Sequence, residues 1–316
     1  MHPAFSIIFF TTAAGAGYGL LILMGLFGPL GLLPSSGGFG FAGFALGLGL
    51  VTLGLAASTL HLSHPERAWR AFSQWRSSWL SREGVASVIT YVPAAVFAVG
   101  WVFFSATGGL MGVAGWLMAA MAVVTVYCTA MIYASLKPIH QWHNGWVPLN
   151  YLALALMSGA LLLNAITHLF GAGRPWLGLL TLAATAVAWA LKEGYWRFIA
   201  TTRAASTPET ATGLGHLGRV RLLEAPHTEA NYLLKEMGYQ VGRKHAARLR
   251  TIARIAGFGL PLLLTAAAMQ AGTGAAGAAA TVAAALGAAL GLIAERWLFF
   301  AEAKHTVNLY YGAQSV

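Results

Sequence analysis

Residues 5–27 read FSIIFFTTAAGAGYGLLILMGLF, twenty-three positions without one charged side chain. The hydrocarbon core of a bilayer takes roughly 20 helical residues, so this stretch is long enough to cross it. In lipid the backbone must pair within the segment, which makes the stretch a helix. It has no Lys or Arg ahead of it and is too long for the apolar core of a signal peptide, so a retained first span is expected. Outward from it, seven more apolar runs follow, at about residues 39–60, 84–105, 110–136, 147–169, 176–191, 252–269 and 275–294. Composition agrees. The chain is 58% hydrophobic and 9% charged, too little charge to cover a soluble surface. The expected fold is an all-α membrane protein: a bundle of about eight transmembrane helices forming a single integral-membrane domain over residues 1–316. Gly43 and Gly47, with Gly40 nearby, offer a GxxxG surface where helices could approach closely, although chance is an equal explanation in so glycine-rich a span.

The connections divide into two classes. Those after the first, third, fifth and seventh runs are short or rich in Gly and Pro and hold one basic residue, Arg174. The others hold eighteen of the 19 Lys and Arg residues. The positive-inside rule then puts both termini and the charged connections in the cytoplasm, with the chain in a bacterial inner membrane. The net charge of +10 therefore reads as contact with membrane lipid, not nucleic acid. The one long connection, about residues 192–251, is too short for an enzyme domain. It reads as a lid or a docking element for a partner, with an amphipathic stretch at 231–250. The basic positions Arg243, Lys244, His245, Arg248 and Arg250 are expected to meet lipid head groups.

Several chemistries are excluded or disfavoured. A single cysteine, Cys128, cannot build a disulfide, a zinc site or an iron–sulfur site within the chain. No Lys, Arg, Asp or Glu lies mid-span, which argues against a pump or ion-coupled carrier. Gly213, Gly215 and Gly218 spell GxGxxG, but without a preceding strand the dinucleotide fingerprint is a coincidence.

Three polar constellations remain, all at the charged end. The first is STLHLSHPERAW at residues 58–69. His61 closes the second span, Ser63 and Glu66 have capping-box spacing, and Pro65 suits a helix start. Trp69, Phe72, Trp75 and Trp79 recur at roughly helical spacing among Arg67, Arg70 and Arg76, as in a short helix lying in the interface. Glu83 opens the third span. The second constellation, residues 133–148, carries Tyr133, Lys137, His140, His143 and Trp146. The third holds Glu295, Arg296, Glu302, Lys304 and His305. Its adjacent Glu295 and Arg296 read as a snorkelling helix end.

These residue types suit a quinone, whose reduction takes up two electrons and two protons. A histidine at the membrane boundary can donate to a carbonyl and relay a proton. A partly buried Glu can do the same, while Arg and Trp hold the head group. On residue types alone, His61 and Glu83 could equally be helix ends. Nine of the ten histidines lie at the charged end, so a bis-histidine haem b using His61 with His140, His143 or His305 is an alternative. It is disfavoured because most of these residues fall in loops.

The string at 58–69 resembles the pattern S-x-L-H-L-x-x-P-x-R-A of membrane-anchor subunits of the dimethyl sulfoxide reductase type, and the likeness continues through residues 78–83 (SWLSRE). Residues 133–143, 232–243 (with Glu236-Met237-Gly238-Tyr239) and 299–312 look like the branch associated with cytoplasmic, membrane-bound sulfite dehydrogenases. The resemblance implies a three-subunit complex with a molybdopterin catalytic subunit and an iron–sulfur cluster subunit, anchored here and exchanging electrons with quinone. In that family the histidine of L-H-L and the acidic residue opening the third span are linked to quinone binding, and they match His61 and Glu83. Arg67, Trp69, Arg70, Tyr133, Lys137 and His140 complete the expected quinone site or dock the cluster subunit. Haem is not usual in the family. The dimethyl sulfoxide reductase complex faces the periplasm, whereas the motif-bearing side here is expected to be cytoplasmic. That favours sulfite as the electron source.

Overall fold

The computed structural model describes residues 5–59, 64–202, 204, 206–224 and 244–314. Among these, eight helices are long and apolar enough to cross a membrane, and no strand is formed. They are α1 (Phe5–Phe27), α2 (Gly37–Thr59), α3 (Trp79–Phe104), α4 (Gly109–Ala134), α5 (Trp146–Leu169), α6 (Pro175–Thr201), α7 (Ala246–Ala271) and α8 (Ala275–Ala301). The chain is a multi-pass α-helical membrane protein.

Helices α1 and α5 form the centre. In each, 72% of the apolar window is buried inside the protein, against at most 44% in the others. Helix α1 packs on α2, α4 and α5, while α3 packs outside on α4, and α7 on α8. Small residues make the centre dense. A Cβ added at Gly19 would land on the carbonyl of Ala155, and one at Gly159 on the backbone of Gly19. The two central helices therefore meet backbone to backbone. Gly43 and Gly47 also face α1, receiving the side chains of Met24 and Leu21. The GxxxG of α2 is a packing seam, which its sequence alone left at even odds.

Several helices outrun the apolar runs that announce them. Helix α3 begins at Trp79, with the Ser78 side chain accepting from the Ser81 N–H, so Glu83 lies inside its first turns. Helix α6 continues past Leu191 to Thr201, and α8 past Ala294 to Ala301. Helix α7 starts at Ala246 and widens to a π-helical turn over Ala253–Gly259. That turn precedes Pro261, which cannot donate the regular helical bond to Gly257.

The extensions of α6 and α8 carry charge inward. Lys192, Glu295 and Arg296 are 1%, 0% and 4% exposed. Lys192 Nζ is ion-paired with Glu295 Oε1, and Arg296 Nε lies 2.7 Å from Glu295 Oε2. The cations also sit on rings, Lys192 4.1 Å from the Tyr195 centroid and Arg296 4.2 Å from that of Tyr151. This corrects the snorkelling expectation. Each charge is cheaper buried beside its partner than any one of them would be alone.

Of the basic residues expected at the lipid surface, Arg250 is paired instead, and so is Arg254 one turn further along α7. Arg250 Nη2 lies 2.6 Å from Glu302 Oε1, and Arg254 makes a two-pronged contact with Glu193 at 2.6 and 2.8 Å. The expected amphipathic stretch at 231–250 is described only from residue 244, and the segment Glu236-Met237-Gly238-Tyr239 lies outside the described residues. The GxGxxG glycines follow a five-residue helix, Pro208–Thr212, in place of a strand. The C-terminal turn returns to this connection, where the Tyr310 hydroxyl donates to Ala211 O at 2.6 Å.

Candidate functional site

At the charged end, a cavity of about 600 Å³ opens between the ends of α1 to α4 and a 3₁₀ segment, Pro65–Gln74. Its walls are largely apolar: Ile7 and Phe10 from α1, Leu55 from α2, Ala68 and Phe72 from the 3₁₀ segment, Leu80 from α3 and Ile132 from α4. The polar groups on it are Ser58, Thr59, His64, Arg67, Glu83 and Tyr133.

Local structure holds these groups in place. Arg82 ties the turn that carries the 3₁₀ segment back onto α3. It donates to Trp75 O at 3.0 Å and Arg76 O at 2.7 Å, with its guanidinium 4.3 Å from the Trp79 centroid. Gly84 lets the Phe72 ring lie close against α3, because a Cβ there would stand 3.2 Å from that ring. Glu83 is 4% exposed and accepts a hydrogen bond from Thr129 Oγ1 of α4. Tyr133, one turn beyond Thr129, is half-buried. Its ring lies 5.3–5.9 Å from those of Trp142, Tyr151, Phe299 and Phe300, in an aromatic cluster behind the cavity. His64 Nδ1 is 3.0 Å from Glu66 Oε1, and both side chains are well exposed. A pairing so open to solvent constrains His64 little.

Glu83, Arg67 and Tyr133 of the expected site therefore come together. His61 lies outside the described residues; its neighbours Thr59 and His64, on either side of the undescribed segment 60–63, both line the cavity. Trp69 and Arg70 sit on the exposed face of the 3₁₀ segment, the guanidinium 5.7 Å from the Trp69 ring, and do not line the cavity. Lys137 is exposed beyond α4 and does not line it either. His140 belongs elsewhere. Its Nε2 is 2.8 Å from Thr202 Oγ1, its ring stacks on Phe198, and it lines a second, polar vestibule of about 750 Å³ with Gln141, Arg250, Glu302 and Lys304. Ser63 is undescribed, and the 3₁₀ segment starts after His64 with no side-chain cap. The segment's aromatic residues Trp69, Phe72 and Trp75 are exposed, as an interfacial element requires.

Sequence reading missed Thr129, His64 and the α1 wall. Thr129 and Tyr133 are spaced i, i+4 and so share a face of α4. That periodicity was available, but nothing marked the face as polar. Among the described residues no group of three His, Cys, Asp or Glu is placed to hold a metal. His143 points back into its own turn, with Nδ1 2.6 Å from Ala134 O.

Comparison with known proteins agrees with the architecture. Residues 1–194 match the family model described as DMSO reductase anchor subunit (DmsC). Over 98% of this chain and 99% of the relative, it is 34% identical to the C subunit of sulfite dehydrogenase from Allochromatium vinosum. Two Escherichia coli proteins, both from anaerobic dimethyl sulfoxide reductases, align over shorter stretches. The YnfH chain is 32% identical over 37% of this chain and 41% of its own length, and the C chain is 28% identical over 39% and 42%. A full-length relative and a family model covering most of the spans lead to one conclusion: this chain belongs to the DmsC family of membrane-anchor subunits.

Proposed function

We propose that the chain is the quinone-reactive membrane anchor of an oxidoreductase complex, with a molybdopterin catalytic subunit and an iron–sulfur cluster subunit docked on its charged face. The observation that carries this reading is the cavity itself: Glu83, Arg67, His64 and Tyr133 converge on an apolar chamber at the membrane boundary. The donor set fits a ring with two carbonyl oxygens, and the walls fit an apolar body. When bound, the quinone accepts two electrons and two protons. Arg67 and His64 donate hydrogen bonds at its outer edge, and Glu83, fed through Thr129, supplies protons at its inner edge. His61, between two lining residues, is the further donor.

Sulfite oxidation on the cytoplasmic face is the favoured electron source. The relative sharing nearly its whole length with this chain is named as a sulfite dehydrogenase subunit, whereas the dimethyl sulfoxide reductase chains align over about two fifths. The bias of basic residues toward the motif-bearing end supports the same orientation in a bacterial inner membrane.

The purified complex tests this. His61→Leu and Glu83→Gln are expected to leave the subunits associated and quinone turnover slowed by about 10²-fold, the low end for a positioned acid–base group. Wild-type turnover in both variants, or no quinone binding by the assembled complex, would remove the assignment and leave a purely structural anchor.

A further inference from the structure

The cavity accounts for Glu83 but not for the three charges buried across the bundle. Glu295 of α8 and Glu302, which caps that helix, stand two turns apart on one face. Lys192 is ion-paired with the first and attracted to the second. Glu302 lines the polar vestibule beside Arg250 and is held on it by that residue. Burial pushes the Glu302 carboxyl above its ordinary range, against the opposing pull of Arg250. At the other end of the cluster, Arg296 lines a small, partly open cavity of about 30 Å³ with Tyr18, Tyr151 and Thr129. Tyr18 Oη and Arg296 Nη1 are buried without a protein hydrogen-bond partner. A space of this size with such polar groups has room for one or two waters. Thr129, on the same wall, donates to Glu83.

From these contacts we infer that the protein contains an internal proton route. It runs from the vestibule through Glu302, Lys192, Glu295 and the small cavity to Thr129 and Glu83. The inference rests on the quinone reading of the Glu83 cavity. Glu302, Lys192 and Glu295 carry the proton. Arg296, which does not titrate, stands between Glu295 and the small cavity and orients there the water that takes the proton from Glu295. Thr129 accepts from that water while donating to Glu83. Two protons move for each two electrons delivered by the one-electron iron–sulfur donor, giving one quinol. The route starts away from the cavity mouth, so proton uptake continues while a bound head group fills that mouth.

The test uses the assembled complex, with quinone affinity measured separately from turnover. In Thr129→Val, quinone affinity is expected to stay at the wild-type value while turnover falls at least about tenfold and the solvent deuterium isotope effect rises. Thr129→Ser should restore both. Glu302→Gln is remote from the Glu83 cavity and should reproduce the slow phenotype, which a role for Thr129 in merely placing Glu83 does not predict. Wild-type turnover in Glu302→Gln would overturn the route, as would loss of quinone affinity in Thr129→Val. Neither result would touch the binding of quinone by the wild-type complex, which stands or falls on its own measurement.

Discussion

At the scale of single residues, the buried triad separates stability from activity. Glu295 neutralises two cations, so Glu295→Ala leaves Lys192 and Arg296 uncompensated inside the bundle. Breaking a buried pair in this way costs about 3–5 kcal/mol. Replacing all three together by Lys192→Met, Glu295→Leu and Arg296→Met removes the charges with their partners, a change that is often neutral or stabilising. Unfolding in denaturing detergent should therefore show the single variant weakened and the triple variant near wild type. A purely structural triad would leave the triple variant active. The proton route requires it to be folded and slow.

At the scale of elements, the spans were legible because hydrocarbon demands length and charge depletion, and eight runs satisfied both. Their ends were not. Reading stopped at Lys192 and at Glu295, since a charge ordinarily marks the membrane boundary, whereas here the charges answer one another across α6 and α8. The same blindness hid the working contacts of the site. Glu83 and Tyr133 were visible as polar residues at helix ends, but Thr129 looks like any threonine within a span until α3 and α4 are brought together. His140 misled for the opposite reason: it shares the charged end with Glu83 but turns toward Thr202 of the α6 end. Packing of the central pair is the most specific element-level claim. Gly159→Val would drive a branched side chain into the backbone of Gly19, where no rotamer change gives relief. It should cost more than the roughly 1–3 kcal/mol of ordinary overpacking and reduce the yield of folded protein. Gly49→Ala, whose added carbon meets nothing within 4 Å, should be silent in the same assay.

For the whole molecule, the proposed electron route depends on orientation, which the positive-inside rule predicts from the distribution of charge. The 3₁₀ segment, the Glu83 cavity and the vestibule all lie at the end where the basic residues gather, so in the proposed complex the cluster subunit and the proton source share that side. The single native thiol, Cys128, is buried at 5% exposure and gives little background to a membrane-impermeant thiol reagent. Ser77→Cys places an exposed thiol in the turn before α3, and Gly108→Cys places one in the turn before α4, where an added side chain meets nothing. In intact cells Gly108→Cys should label and Ser77→Cys should not; in inverted membrane vesicles the pattern should reverse. Labelling of Ser77→Cys from outside intact cells would put the cavity on the other face. The partner subunits and the sulfite assignment would then have to move with it, since electrons for a quinone held at that edge would arrive from outside the cell.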